Sequence, residues 1–237
     1  MNNHITIRKA GDRGHARFDW LDSRHTFSFG HYYDPAHMGF GPLRVINEDW
    51  IAPAKGFETH GHRDMEIITY VLDGAVAHKD SLGNGSVIRP GEVQMMSAGR
   101  GIRHSEFNDM SDQTTHMLQI WIEPSTKGGE PGYQQEALSA DQTPGHWRLL
   151  VDPDGTDGAL RMKQDARLFA ARLSEGEAIE ITPAAGRRHW LQIAKGAGGL
   201  DEHDLVSGDG VAMSLTTPIT LRAGHQGVEA LLFDLPA

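Results

Sequence analysis

The 237-residue sequence contains no cysteine and no long apolar segment. Without cysteine the chain can form no disulfide, no thiolate metal site and no cysteine nucleophile. No apolar run approaches the roughly 20 residues that a membrane-spanning helix needs, and residues 1–9 lack the apolar core of a signal peptide. These absences predict a cytoplasmic protein that does not enter a membrane.

Positive charge is also scarce, because Lys and Arg number 22 against 32 Asp and Glu, for a net charge of −10. A surface that follows nucleic-acid phosphates needs clustered Lys and Arg, so direct binding to nucleic acid is not expected. The sequence also lacks the Gly-x-Ser-x-Gly nucleophile elbow, the Walker phosphate loop and the glycine pattern of dinucleotide-binding folds. The enzyme classes marked by those motifs are therefore not expected either.

Strand-forming segments dominate the sequence from Glu66 onward. Residues 67–72 are a run of strand-forming side chains that ends at the turn signal Asp73-Gly74. Residues 116–122 alternate between apolar and polar positions in the manner of a half-buried strand. Short strands with turn signals about every eight to twelve residues are typical of an all-β sandwich or barrel.

A charged, turn-rich stretch between Pro124 and Pro131 divides the chain. The sequence predicts an N-terminal barrel over residues 1–124, a linker over 125–144 and a C-terminal barrel over 145–237. The second half resembles a weak internal repeat of the first, with turn glycines in corresponding places.

Histidine is the compositional outlier, since ten of its fourteen copies lie at or before His116. Two pairs of metal-capable side chains have one residue between them, namely His60 with His62 and His104 with Glu106. Side chains at i and i+2 of a strand leave the same face. If the two strands face each other across a small barrel, three imidazoles and a carboxylate converge on one point. Such a donor set favours iron, nickel, copper, zinc or manganese over calcium or magnesium.

The carboxylate of this set is not fixed by spacing alone. Glu66 lies an even number of residues from His62, so a regular strand would place it on the same face as well. If Glu106 binds the metal, Glu66 becomes a neighbour that orients a ligand imidazole. Asn108 shares the parity of Glu106, and it can either contribute to the site or serve in packing. In the second half, the positions that correspond to His60, His62 and His104 are Thr182, Ala184 and Ala223, so this half has no equivalent ligands.

These segments resemble the pirin family of bicupin proteins. The resemblance rests on the cupin pattern His60-Gly61-His62 with Glu66, Arg89-Pro90-Gly91 and His104 with Asn108, and on more specific matches at residues 25–29, 32–35, 43–47, 64–67, 96–99 and 104–106. It implies an all-β fold of two tandem cupin (jelly-roll) barrels, with a metal only in the first. It also implies that His60, His62, His104 and Glu106 are the ligands of one divalent transition metal. Iron is the expected ion, with nickel, copper, zinc, manganese and cobalt as alternatives.

The family resemblance implies two possible functions. The first is a quercetin 2,3-dioxygenase-like enzyme, which uses dioxygen to open the ring of a small planar aromatic flavonol and releases carbon monoxide. Glu106 would then act as the general base for the flavonol 3-hydroxyl. The alternative is a metal- or redox-dependent regulator that acts through a protein partner.

Overall fold

A computed structural model describes residues 3–137 and 145–237 of the chain. In the described residues the regular structure is β-strand, apart from two short 3₁₀ turns at Ala10–Asp12 and Thr156–Gly158. In chain order the strands are β1 (His4–Arg8), β2 (Gly14–Arg17), β3 (Leu21–His25), β4 (Leu43–Ile51), β5 (Gly56–His62), β6 (Glu66–Asp73), β7 (Val76–Asp80), β8 (Gly85–Ile88), β9 (Glu92–Ser97), β10 (Ile102–Asn108), β11 (Thr115–Ile122), β12 (Gly132–Ala137), β13 (Arg148–Asp152), β14 (Leu160–Arg161), β15 (Arg167–Leu173), β16 (Ala178–Ile181), β17 (Arg187–Leu200), β18 (His203–Val206), β19 (Gly210–Ser214) and β20 (Ile219–Pro236). The predicted all-β class is confirmed.

The chain forms two compact units. The first unit consists of Gly14–Leu138 and Leu160–Gln164, and the second of Met1–Arg13, Ser139–Ala159 and Asp165–Ala237, apart from residues 1–2 and 138–144, which the structure does not describe. The part of the chain that the structure describes contains no helix that could span a membrane.

Two antiparallel sheets make up the first unit. One has seven strands in the order β12-β9-β6-β11-β4-β3-β2, and the other has four in the order β5-β10-β7-β8. Apolar side chains from both sheets pack together, including Val71 and Met117 of the larger sheet and Val76 and Ile88 of the smaller one. This shared core fixes the four-stranded sheet, which carries the predicted ligands, against the seven-stranded one.

The second unit is built around two long neighbouring strands, β17 and β20. The sheet continues from β17 through β19 to β1 and from β20 to β15 and β13, while β18 pairs with β17 and β16 with β20. Its core is apolar and includes Leu191, Val211 and Leu221. Ile5 and Ile7 of β1 pack against the same core, so the start of the chain belongs to this unit.

These units differ from the predicted domain boundaries in two respects. Residues 4–8, which fall within the predicted N-terminal barrel, pair with β19 of the second unit. The predicted linker over 125–144 contains β12, which pairs with β9 along its full length. The remainder of that linker, residues 138–144, lies outside the described residues.

Candidate metal centre

The predicted ligands lie on β5 and β10, which are neighbouring strands of the four-stranded sheet. The expectation that these strands face each other across a barrel is wrong, because they pair side by side in antiparallel register. His104 is the partner of His60 in that register. Two residues directly opposite in an antiparallel pair project from the same face, so the imidazoles meet by pairing rather than by crossing the interior.

A β-bulge interrupts the pairing between His104 and Glu106. In a regular register Glu106 would lie opposite Glu58, but the shift pairs it with Phe57 instead. Glu58 is left exposed, whereas Glu106 is 2% exposed. A bulge re-aims side chains at the point where it occurs, and here it leaves one carboxylate, that of Glu106, buried beside the histidines.

Three imidazoles cluster closely at this position. Donor nitrogens of His60, His62 and His104 all lie within 4.8 Å of one another. The Nε2 atoms of His60 and His104 are 3.1 Å apart. The Nδ1–H of His60 donates to the backbone carbonyl of Glu58 at 2.8 Å. This bond fixes the tautomer of His60, so that the lone pair on Nε2 points into the cluster.

Glu106 is held by two donors from the seven-stranded sheet. The Thr69 hydroxyl donates to one carboxylate oxygen at 2.9 Å, and the Gln119 amide donates to the other at 2.8 Å. A carboxylate oxygen of Glu106 also lies within 4.8 Å of donor nitrogens of His78 and His104. The carboxylate therefore borders the imidazole cluster in one fixed orientation.

Burial sets the protonation states of these groups. It lowers the pKa of His62 to about 4, and the charge of His60 adds to the effect. Burial also lowers the pKa of His104 to about 2, again with contributions from the surrounding histidines. The pKa of Glu106 is raised to about 7 by burial and by the charge of Asp49, against the hydrogen bonds from Thr69 and Gln119. His62 and His104 are therefore neutral at physiological pH, the form in which an imidazole binds a metal.

Two residues of β7 whose side chains are buried also belong to this neighbourhood, although the sequence patterns did not indicate them. His78 Nδ1 lies 3.5 Å from His104 Nδ1, and His78 Nε2 lies 3.4 Å from Asp80 Oδ2. The signal was present, because His78 and Asp80 are separated by one residue on a predicted strand, just as His60 and His62 are.

The two other candidates, Glu66 and Asn108, have structural partners. Glu66 is buried and accepts hydrogen bonds from the Ser97 hydroxyl at 2.8 Å and from the Lys163 amide at 3.1 Å. Its predicted role in orienting an imidazole is not what the structure shows. The Asn108 amide donates to the carbonyls of Ile51 and Gln113, and its oxygen accepts from Met110 and Thr115. Asn108 thus closes the loop after β10.

A cavity of about 980 Å³ opens beside the cluster, within the first unit. His60, His62 and Glu106 line one side of it. The rest of the lining is largely aromatic and includes Phe18, Trp20, Phe29, Tyr32, Phe57 and Trp121. Trp121 meets the His62 ring edge to face, with centroids 4.9 Å apart. Polar groups of Ser23, Asn47, Asp49 and Gln119 also line the cavity.

The residues present fit a divalent transition metal. Three imidazoles and one carboxylate are donors that first-row metals accept. Two imidazole Nε2 atoms that face each other at 3.1 Å would repel if both carried lone pairs, and a shared cation removes that repulsion. Of the residues that the structure describes, both groups of closely spaced His, Asp or Glu donors lie in the first unit.

Comparisons with known proteins agree with this architecture. A family model described as Pirin matches residues 6–122, and one described as the quercetinase C-terminal cupin domain matches residues 149–235. A quercetin 2,3-dioxygenase of Escherichia coli K12 is 47% identical over 232 residues, which cover 98% of this chain and 99% of that protein. The chain belongs to the pirin family.

Other pirin-family proteins extend the comparison. A pirin-like protein of Caulobacter vibrioides is 42% identical, over 96% of this chain and 98% of its own. The crystal structure of the Escherichia coli bacterial pirin YhhW in complex with nickel(II) matches with a TM-score of 0.92 and 46% identity, over 98% of this chain and 99% of that one. The two-cupin expectation is thereby confirmed. Together with the donor cluster, these relationships support metal binding by this pirin-family chain.

Proposed function

We propose that this chain is a metal-dependent dioxygenase that opens the ring of flavonols such as quercetin and releases carbon monoxide. The single observation that carries the proposal is the aromatic-lined cavity of about 980 Å³ with His60, His62 and Glu106 in its wall. A planar aromatic substrate is expected to stack and pack against such a lining. The name of the Escherichia coli K12 relative, quercetin 2,3-dioxygenase, agrees with this activity.

In this proposal His60, His62, His104 and Glu106 hold one divalent metal. Iron is the proposed ion, and nickel, copper, zinc, manganese and cobalt are the alternatives to be compared. When bound, the metal supplies Lewis acidity toward a substrate oxygen and a template for substrate and dioxygen. The lowered pKa values of His62 and His104 keep both imidazoles available as neutral ligands.

Glu106 is the proposed general base. Its carboxylate lines the cavity, and Thr69 and Gln119 each donate to one of its oxygens. A substrate hydroxyl that enters beside His60 and His62 can pass its proton to this carboxylate. The aromatic walls exclude water from the substrate, and Trp121 and Phe29, whose rings pack edge to face at 5.3 Å, form a rigid part of them. Loss of this proton leaves a negative charge on the substrate oxygen.

The activity is tested with the full-length protein, stripped of metal and restored with each candidate ion in turn. Loss of the long-wavelength absorbance of quercetin, together with release of carbon monoxide, is the expected result. If no flavonol is turned over with any of the metals, the proposed dioxygenase activity is contradicted. A stoichiometric, metal-dependent protein partner found under those conditions would instead favour the regulatory alternative.

The role of Glu106 is tested by Glu106→Gln. We expect the variant to retain a bound metal and to lose about 10²- to 10⁴-fold in kcat, because the amide cannot accept the substrate proton. Glu136→Gln is the matched control, since Glu136 is exposed on β12 and lies outside the cavity lining. Turnover by Glu106→Gln at the rate of the control would remove Glu106 from the mechanism.

A further inference from the structure

Both ring nitrogens of His104 face another imidazole. Its Nε2 lies 3.1 Å from His60 Nε2, inside the cluster, and its Nδ1 lies 3.5 Å from His78 Nδ1, behind it. His104 and His78 are each 1% exposed, so both rings are shielded from bulk solvent. A neutral imidazole carries one N–H and one lone pair. For Nε2 of His104 to bind a metal, its proton must therefore be on Nδ1.

His78 is in turn held by Asp80. The distance from His78 Nε2 to Asp80 Oδ2 is 3.4 Å, and both side chains are fully buried. Strand pairing sets this arrangement, because β7 lies next to β10 with His78 opposite Glu106 and Asp80 opposite His104. Three side chains on adjacent strands therefore form one buried series, from His104 through His78 to Asp80.

The turn after β7 immobilises the carboxylate of Asp80. Oδ1 accepts from the backbone amides of Leu82 at 2.8 Å and Asn84 at 3.1 Å, and Oδ2 accepts from the Asn84 side-chain amide at 2.9 Å. An ionised carboxylate accepts hydrogen bonds and donates none. His78 Nε2 must therefore carry the proton in this contact, which leaves His78 Nδ1 as an acceptor.

The direction of each hydrogen bond then follows from Asp80. If His78 Nδ1 is an acceptor, His104 Nδ1 must be the donor, and the lone pair of His104 is placed on Nε2, which faces His60. We propose that His78 and Asp80 are positioning residues that fix the tautomer and the ring orientation of His104 for metal binding. This inference rests on the proposed metal site and adds two residues to it.

The alternative in which His78 is itself a ligand conflicts with this geometry. His78, His104 and Glu106 have donor atoms within 4.8 Å of one another. A second ion there would take the Nδ1 of His104, while the first takes its Nε2, so His104 would have to lose both ring protons. Both nitrogens of His78 already face partners, at 3.5 Å and 3.4 Å. A positioning role for His78 explains these contacts and does not require His104 to lose both ring protons.

Asp80→Asn tests the direction of the hydrogen bonds. An asparagine keeps an acceptor oxygen for the amides of Leu82 and Asn84, but its other terminal atom becomes a donor. His78 must then accept at Nε2 and carry its proton on Nδ1, where it opposes the proton of His104. We expect the affinity of the full-length protein for Ni²⁺, measured by isothermal titration calorimetry, to fall by about 10- to 100-fold. Asp22→Asn is the matched control, because Asp22 pairs with His15 at 3.1 Å at an exposed position.

Substitutions of His78 separate positioning from simple packing. His78→Asn places an oxygen near the former Nδ1 and so keeps an acceptor for His104, whereas His78→Leu fills the space without one. We expect His78→Asn to bind Ni²⁺ within about threefold of the wild type and His78→Leu to bind it about 10- to 100-fold more weakly. A role in packing alone predicts the reverse order, since Leu is the better apolar filler.

A second readout is the tautomer itself. Long-range ¹H–¹⁵N spectra of the metal-free protein, with His104 assigned by its loss in His104→Gln, should show a proton on Nδ1 in the wild type and a changed pattern in Asp80→Asn. If Asp80→Asn and the wild type have equal Ni²⁺ affinities and the same His104 tautomer, this inference is overturned but the proposed metal site is not. Failure of the wild type to bind Ni²⁺ would overturn the proposed metal site and this inference with it. Should Asp80→Asn not fold, the comparison of the two His78 variants decides.

Discussion

Burial keeps histidines neutral in both units of this molecule, but among the described residues the cluster of three imidazoles lies in the first unit. His189 of β17 is 4% exposed, and burial lowers its pKa, against the charge of Asp234, which raises it. Its Nε2 lies 3.9 Å from Asp234 Oδ1, and Arg187 also pairs with that carboxylate, at 2.6 Å. His62 and His104 are neutral for the same reason, yet they lie beside other imidazoles. Neutrality is therefore necessary for a metal ligand but does not identify one.

His189 gives a pH-dependent prediction that is independent of the metal. Its pKa is lowered from 6.5 in the folded protein, so the folded state favours the neutral form. The corresponding stability is present above the unfolded pKa and is lost as the pH falls below it. We expect the free energy of unfolding of the metal-free protein to decrease between about pH 7 and pH 5, and to decrease less steeply in His189→Gln.

Urea titrations across that pH range measure how steeply the free energy of unfolding changes with pH in the wild type and in His189→Gln. Since His62 and His104 also have lowered pKa values, the wild type retains a slope from several groups, and the difference between the two proteins isolates His189. Identical slopes would show that His189 has the same pKa in the folded and unfolded states.

At the scale of single elements, strand periodicity is local, so the sequence could predict that the proposed ligands leave their strands in pairs. The i, i+2 spacing of His60 with His62 and of His104 with Glu106 is sufficient to place each pair on one face. The pairing of β5 with β10 and the bulge beside Glu106 are not local, since they depend on which strands become neighbours. The donors Thr69 and Gln119 belong to the other sheet, and no sequence spacing relates them to Glu106.

Close contact between β5 and β10 makes Gly56 a specific test of that pairing. A Cβ at Gly56 would lie 2.2 Å from the Glu106 carbonyl oxygen and 2.5 Å from the Phe107 Cα, so the two strands would have to separate. We expect Gly56→Ala to lower the free energy of unfolding by about 1–3 kcal/mol. It should also weaken Ni²⁺ binding, because Glu106 and His60 move apart with the strands.

Gly61→Ala is the control on the same strand. A Cβ at Gly61 meets nothing closer than the Ile102 carbonyl oxygen at 3.7 Å. We expect this variant to be as stable as the wild type or more stable by about 0.4–1 kcal/mol, since alanine restricts the unfolded chain. Urea denaturation and Ni²⁺ titration measure both variants, and a Gly56→Ala protein with the stability of Gly61→Ala would contradict the observed strand packing.

At the scale of the whole molecule, the compact units do not follow chain order. The first strand of the sequence pairs with β19, about 200 residues later, and Asp209 secures the segment that follows it. The Ala10 amide donates to Asp209 Oδ1 at 2.7 Å, and Lys9 Nζ lies 3.2 Å from Oδ2. No composition shift marks residues 1–13 as part of the second unit. A domain boundary predicted from turn-rich segments therefore places them in the barrel that follows directly in sequence.

Removing residues 1–8 distinguishes these two assignments. The structure predicts that β19 loses its edge partner and that Ile5 and Ile7 are lost from the core of the second unit. Amide hydrogen exchange should therefore rise in Gly210–Ser214 and in the part of β17 that pairs with it. Ni²⁺ affinity should stay within about twofold of the wild type, because β5, β7 and β10 of the first unit are paired without β1. Weakened Ni²⁺ binding with unchanged exchange in β19 would instead place the N-terminal strand with the metal centre, because hydrogen exchange rises where a strand has lost its partner.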